Sequence, residues 1–411
     1  MPDICIYAQV HQPFRLRHFS VFDIGGGLDY FDDETNRRIL RRVGDKCYLP
    51  ANQLLEDLIR RSEGRFKVAL SLSGVLIEQL ALWAPDVLAS FQSLVATGGV
   101  ELLGETYDHS LASLANSEEF VAQVERHREV LQRYFGRQPT VFRNTELIYW
   151  DGLAPDIARL GFAGVMVEGA DHVMEWRSPN HVYEAAGTPG LRLIPRNYRL
   201  SDDVGFRFSN RDWDGWPLTA EKYAEWIAGS DGESMHLFID YETLGEHQWA
   251  ETGIFSFVER LPWECLARGL SFVHPSTLAA RPAVAPLAFA RPTSWADLER
   301  DTSAWLGNRL QYAAHERLYG LRRDVLATGD AGLIDRWRRL TTSDHLYYMC
   351  TKWFADGDVH KYFSPYESPY DAFVVFMNVL QDLEQLIPEA SAAEVTNDFD
   401  GWAESGMACV G

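Results

Sequence analysis

Two carboxylates stand where apolar runs end: Glu146 closes the stretch VFRNTE, and Asp240 follows HLFI. Cleaving a glycosidic bond needs two carboxyls, one protonated to release the leaving oxygen and one ionised to attack or to activate water. A carboxylate at a strand end is held on rigid backbone, as such work requires. For either residue alone, a strand-end salt bridge or a helix cap is the simpler expectation. Other polar groups follow apolar runs in the same way: His11-Gln12-Pro13 after the first, Gly98-Gly99-Val100-Glu101 leading to His109, and Asp240-Tyr241-Glu242.

The elements that must position these groups read as βα units. Up to about residue 280, short apolar runs alternate with amphipathic stretches, the rhythm of a mostly parallel sheet. Strands are expected at Ile4–Val10, Phe66–Leu72, Val100–Leu103, Val141–Arg143, Gly164–Val167, Leu191–Ile194, Met235–Ile239 and Ser271–Val273. Helices are expected at Pro50–Arg61, Val75–Leu82, Pro85–Ala96 and Glu118–Phe135, the last capped by Ser117. Seven or eight repeats imply a closed or nearly closed barrel, whose reactive groups gather at the C-terminal strand ends.

Residues 281–293, RPAVAPLAFARPT, carry three prolines, Pro282, Pro286 and Pro292, and no helical period, and read as a linker. Beyond it Leu310, Ala314, Leu318, Leu321 and Val325 recur at helical spacing, as do apolar residues of Ile334–Trp353 and Tyr370–Ile387. The expected architecture is α/β: a barrel over residues 1–280, the linker, and a helical bundle over 294–411. The stretch Ala170–Pro217 holds many aromatics without helical period, as in a long functional loop. Trp213, Trp216 and Trp249 are its and its neighbourhood's candidates for stacking on sugars, and a satellite apolar cluster is the alternative use of such rings.

Asp and Glu outnumber Lys and Arg by 59 to 38, and the net charge of −21 repels phosphate backbones and anionic lipid surfaces. Nucleic acid and membrane are therefore not the expected partners, whereas a neutral substrate is tolerated. The chain holds 13 Trp and 17 Tyr, residues that suit flat apolar sugar faces with polar edges. Five scattered cysteines, never spaced as a metal or redox pair, read as reduced thiols. With no signal-like start and no long apolar run, a cytoplasmic enzyme is expected.

Taken together, these motifs resemble glycoside hydrolase family 57, and particularly its α-amylase-like branch. The similarity lies in five ordered regions: His11 to Pro13; Gly98, Glu101 and His109; FRNTELIY around Glu146; DYETLGEHQW from Asp240; and Thr342 to Phe373. KCYLPAN, Lys46 to Asn52, adds to it. Many members carry Trp three residues before the nucleophile, where this chain has Arg143, as in the α-amylase-like branch.

The resemblance implies a (β/α)7 barrel followed by a C-terminal helical domain, a retaining double displacement, and action on α-glucans such as starch, glycogen or maltooligosaccharides. Carried over by position, Glu146 is the nucleophile and Asp240 the general acid/base, with carboxyls about 5 to 5.5 Å apart. His11, Glu101 and His109 would surround the glucosyl ring. His247 is expected either to touch ligand or to brace its loop. Asp344 and Trp353 would complete the site from the helical domain, against the alternative that Asp344 caps a helix and Trp353 is core. No cofactor and no metal are expected, because His11 lacks the His-x-Asp pairing of metal-dependent deacetylases and no HExxH is present.

Transfer to a second sugar, by a 4-α-glucanotransferase or branching enzyme, uses the same two carboxyls and is the nearest alternative. A silent glucan-binding protein and a metal-dependent deacetylase are alternatives of other classes. Loss of activity on chelation would mark the last of these. The oligomeric state is not legible.

Overall fold

A computed structural model describes residues 1–352 and 364–388. The first strand, β1 (Asp3–Val10), is apolar on both faces and buried on both, as a central parallel strand must be. It pairs in parallel with β2 (Val68–Leu72) on one side and with β8 (Ser234–Asp240) on the other, and β3 (Val100–Leu102) extends the sheet beyond β2. A second sheet runs in the order β10 (Pro286–Leu287), β6 (Tyr183–Ala185), β7 (Arg192–Arg196), β5 (Gly164–Glu168), β4 (Val141–Arg143). All its pairs are parallel except β6 with β7.

Backbone hydrogen bonds join the sheets along both edges. Gly104 N donates to Val141 O at 3.0 Å and Arg143 N to Gly104 O at 2.8 Å, tying β3 to β4. Asn197 N donates to His236 O at 2.8 Å, tying β7 to β8. The ring β1-β2-β3-β4-β5-β7-β8 is thus a seven-stranded parallel barrel, flanked by helices, and the α/β class expected from the sequence is the one observed.

Where structure and expectation differ, the reasons are local. Ser271–Phe272, expected as an eighth repeat, is a two-residue strand, β9, against the first two residues of β1 at the barrel foot. The expected linker 281–293 is built into the fold: β10 adds an edge to β6, Phe289 is buried, and Thr293 bridges to Tyr149. The helix Ser117–Phe135 is capped by Asn116, whose side chain accepts from Glu119 N, one residue before the expected cap. The aromatic stretch 170–217 is largely ordered elements, including β6, β7 and the helix Tyr198–Gly205.

The helical part comprises Ser303–Leu306, Arg309–Gly320, Arg322–Ala327, Ala331–Leu340, Ser343–Tyr347 and Pro369–Leu386 among the described residues. Its buried Leu318, Trp337, Val379 and Leu383 belong to the same apolar cluster as Val10 and Leu72 of the barrel. Ion pairs stitch the seam: Arg338 and Arg322 reach the fully buried Glu119, and Arg339 reaches Glu78. The helical period read through Ile334–Trp353 is interrupted at Thr341 and Thr342. There Ser343 N donates to His109 O at 2.9 Å and Thr342 Oγ1 to Asp108 O at 2.9 Å, so the backbone pairs with the loop after β3 instead of continuing its own helix. That interruption aims the next turn, with Asp344, at the barrel mouth.

Candidate active site

At the C-terminal ends of the strands a cavity of about 510 Å³ is lined by both barrel and helical part. Gln9, His11, His109, Glu146, Asp240, Glu242 and His247 reach it from the barrel loops, and Trp295, Trp305, Asp344, Tyr347 and Tyr348 from beyond residue 293.

Glu146 follows β4 in a short 3-10 turn with φ 56°, and His109 stands at φ 51°. Left-handed backbone at residues other than glycine costs about 1 to 3 kcal/mol and persists only where surrounding contacts impose it. Here they do. His109 is enclosed, with Nδ1 3.1 Å from Glu105 Oε2 and Nε2 3.0 Å from Glu146 Oε1. Burial acts to lower its pKa, but hydrogen bonds and charge from the two carboxylates win and push it up to about 9. The ring is therefore a cation donating from both nitrogens. The Gln9 amide approaches it at 2.9 and 3.0 Å.

The second oxygen of Glu146, Oε2, accepts from Trp295 Nε1 at 2.6 Å. Burial alone would raise this carboxyl, yet the His109 cation, the Arg143 charge and the indole hold it below the ordinary carboxylate range. Asp240 responds in the opposite direction. Burial first, and then the Glu146 charge, push it up to about 7, against the lowering influence of Arg143, Arg196 and His109. Arg143 itself is fully buried, 4.9 Å above the Phe238 ring, and its guanidinium makes no hydrogen bond among the described residues.

The turn after β8 is braced by KCYLPAN. Cys47 Sγ donates to Tyr241 O at 3.2 Å, Tyr48 OH to Glu242 Oε1 at 2.5 Å, and Tyr241 OH to Asn52 Oδ1 at 2.6 Å. Burial and the neighbouring Asp240 charge push Glu242 up to about 8 despite the Tyr48 bond, so it too holds a proton at neutral pH. The π-helical turn Gly44–Tyr48 presents Cys47 and Tyr48 to it.

On the helical side Asp344 Oδ2 lies 3.0 Å from His11 Nε2, and His11 Nδ1 lies 2.7 Å from Ser73 Oγ. Burial lowers the His11 pKa, so the ring is neutral with Nε2–H donating to Asp344 and Nδ1 accepting from Ser73. Burial works against the Asp344 charge, but the His11 and His109 rings outweigh it and keep the carboxyl ionised.

Several expected site residues lie elsewhere. Glu101 does not reach the cavity: its carboxylate accepts from Ser276 N and Ser276 Oγ, fastening the helix Pro275–Ala279 at the barrel foot. Glu105, four residues before His109, is the carboxylate that bonds the His109 ring, but it is fully buried and does not line the cavity either. Trp213 packs edge-on against Trp226 at 6.1 Å, Trp216 lies beside Arg211, and Trp249 is 61% exposed; none of the three lines the cavity. His247 does line it, and burial lowers its pKa to about 4. Trp353 lies outside the described residues. Gln9, Glu105 and Trp295 escaped the sequence reading, and Glu242 was noted only as a strand-end polar group. Gln9 could have been found by its period-two spacing from His11.

No group of three or more His, Cys, Asp or Glu side chains among the described residues is arranged to hold a metal ion. Nor is any helix among them long and apolar enough to cross a membrane.

Comparison with known proteins places this geometry in context. The model of glycosyl hydrolase family 57 matches residues 5–287. A protein of Methanocaldococcus jannaschii named "Putative alpha-amylase" is 42% identical over 408 residues, covering 95% of this chain and 85% of its own. The solved 4-alpha-glucanotransferase of Thermococcus litoralis superposes with TM-score 0.68 at 15% identity, covering 97% of this chain, which spans 62% of that enzyme's length. The branching enzyme of Pyrococcus horikoshii gives 0.66 at 16% identity, covering 93% of this chain and 88% of its own. The alpha-amylase AmyC of Thermotoga maritima gives 0.61 at 14% identity, covering 94% of each chain.

Proposed function

For a chain that belongs to glycosyl hydrolase family 57, we propose cleavage of the α-1,4 bonds of an α-glucan or maltooligosaccharide with retention of configuration, Glu146 attacking and Asp240 exchanging the proton. The observation that carries this reading is the opposite protonation of two carboxyls in one cavity. Glu146 is held ionised by the His109 cation and the Trp295 indole, while Asp240 keeps a proton to about pH 7.

In the first half-reaction Asp240 protonates the glycosidic oxygen as Glu146 forms a bond to the anomeric carbon and the leaving sugar departs. In the second, ionised Asp240 takes a proton from water, which attacks the same carbon and frees Glu146. His109 offsets the Glu146 charge in the free enzyme and is left facing Glu105 once the ester forms. His11, with its ring 4.1 Å from that of His109, and Asp344 offer polar groups to sugar hydroxyls.

Transfer to a second sugar is the alternative, favoured if the space beyond Asp240 holds sugar better than water. Incubation with maltotetraose and starch, followed by product analysis, tests the reading. Net release of reducing ends supports hydrolysis, products both longer and shorter than the substrate support transfer, and an unchanged substrate counts against both.

A further inference from the structure

Glu146 divides the cavity. Its Oε1 faces the polar cluster of His109, Gln9, His11 and Asp344, and its Oε2 faces the Trp295 indole, so two chemically distinct walls stand on two sides of one carboxylate. On the indole side the Phe206 ring lies 6.5 Å from that of Trp295 with planes 27° apart. Phe206 is 58% exposed and Leu298 84% exposed, yet both line the cavity. Large apolar side chains turned to water inside a cleft otherwise rich in titratable groups mark a surface made for an apolar face.

Phe206 and Trp295 are fixed with respect to each other. Arg300 Nη1 donates to Trp295 O at 2.5 Å and its Nη2 to Asp202 Oδ2 at 3.0 Å, while Arg196 holds the other Asp202 oxygen. Asp202 lies in the helix that Phe206 terminates, and Phe206 N donates to its carbonyl at 2.9 Å. An ion-paired chain thus clamps Trp295, three residues before Leu298, to the end of that helix. The same helix lies along β8: Ser201 Oγ accepts from Phe238 N at 3.1 Å, and Gly205 O accepts from Gln248 Nε2 at 3.2 Å. Phe206 therefore stands beside the strand that ends in Asp240.

We propose that Phe206 and Leu298 form an apolar subsite on the leaving-group side of the scissile bond, taking the glucosyl ring next to it by its carbon–hydrogen face. The proposal rests on the assignment of Asp240 as the acid, because the group that protonates the leaving oxygen has to lie beside the leaving sugar. Water gains nothing from an apolar wall and a pyranose face does, so the same subsite retains an acceptor sugar in the second half-reaction and biases the enzyme toward transfer.

Two substrates separate this subsite from the rest of the site. Maltotetraose fills the leaving-group side, whereas α-maltosyl fluoride leaves it empty because its leaving group is one atom. For Phe206→Ala, kcat/KM on maltotetraose should fall about tenfold, equivalent to about 1.4 kcal/mol of lost stacking. Leu298→Ser should lower it in the same direction, and in both variants the ratio of transfer to hydrolysis products should drop. Turnover of α-maltosyl fluoride should stay within roughly twofold of wild type, as for a contact made only with the leaving sugar. Equal losses on both substrates, or no loss on maltotetraose, would overturn the subsite. Wild-type inactivity on both would overturn the carboxyl assignments on which it rests.

Discussion

His109 Nε2 lies 3.0 Å from Glu146 Oε1, and both residues are held in left-handed backbone. The pairing places a cation against the carboxylate proposed as nucleophile, and the Glu105 carboxylate on the far ring nitrogen keeps that cation charged. The His109 backbone is held by Ser343 N, which donates to His109 O at 2.9 Å, and the Glu146 backbone by Trp295 N, which donates to Glu146 O at 3.3 Å.

Removing the cation should move the acid limb of activity. His109→Gln takes away the charge beside Glu146, whose pKa then rises in the direction in which burial pushes it. The acid limb of kcat/KM against pH should shift upward, with activity lowered about a hundredfold, the usual scale for one charge-stabilising donor. An unmoved acid limb would contradict the pairing.

Stability should carry the signature of the same ring. His109 has a folded pKa of about 9, above its ordinary 6.5, so its contribution is present in full below about pH 6.5 and is lost as pH rises through 9. The difference in melting temperature between wild type and His109→Gln should shrink across that window. A difference constant from pH 6 to 10 would count against a charged His109.

Trp295→Phe keeps a ring beside Phe238, 5.1 Å away, but removes the indole N–H from Glu146 Oε2. Activity should fall about tenfold or more with little change in melting temperature, as for loss of one hydrogen bond to a charged group. A large drop in melting temperature with kinetics unchanged would make Trp295 a packing residue only.

Asp344→Asn and Glu101→Gln should behave oppositely. The first weakens the contact with His11 and should lower kcat/KM on maltooligosaccharides with melting nearly unchanged. The second disturbs the fastening of the helix Pro275–Ala279 and should lower melting while leaving kcat and KM in place. The reverse pattern would restore Glu101 to the site.

Much of this was legible because strand ends are legible. Glu146 and Asp240 follow short β-branched and aromatic runs, and the observed β4 and β8 end at or just before them. Glu101 misled because a strand residue inside β3 matches the motif spacing, while the carboxylate that meets His109 comes from the turn after it. Alternation decides which face a strand side chain takes, and a three-residue strand gives too little pattern to read. Trp295 was invisible for a different reason. It is delivered by a proline-rich segment with no period, and its position depends on the Arg300–Asp202 pair, a contact between residues 98 apart.

The central assignment is tested most directly by trapping the intermediate. Asp240→Asn incubated with α-maltosyl fluoride needs no acid to release fluoride but lacks the base that activates water, so a maltosyl-enzyme should accumulate. Peptide mapping by mass spectrometry should then place the sugar on Glu146, and added azide should release an α-maltosyl azide. A sugar found on another carboxylate, or rapid turnover with no adduct and an inverted product, would contradict the account.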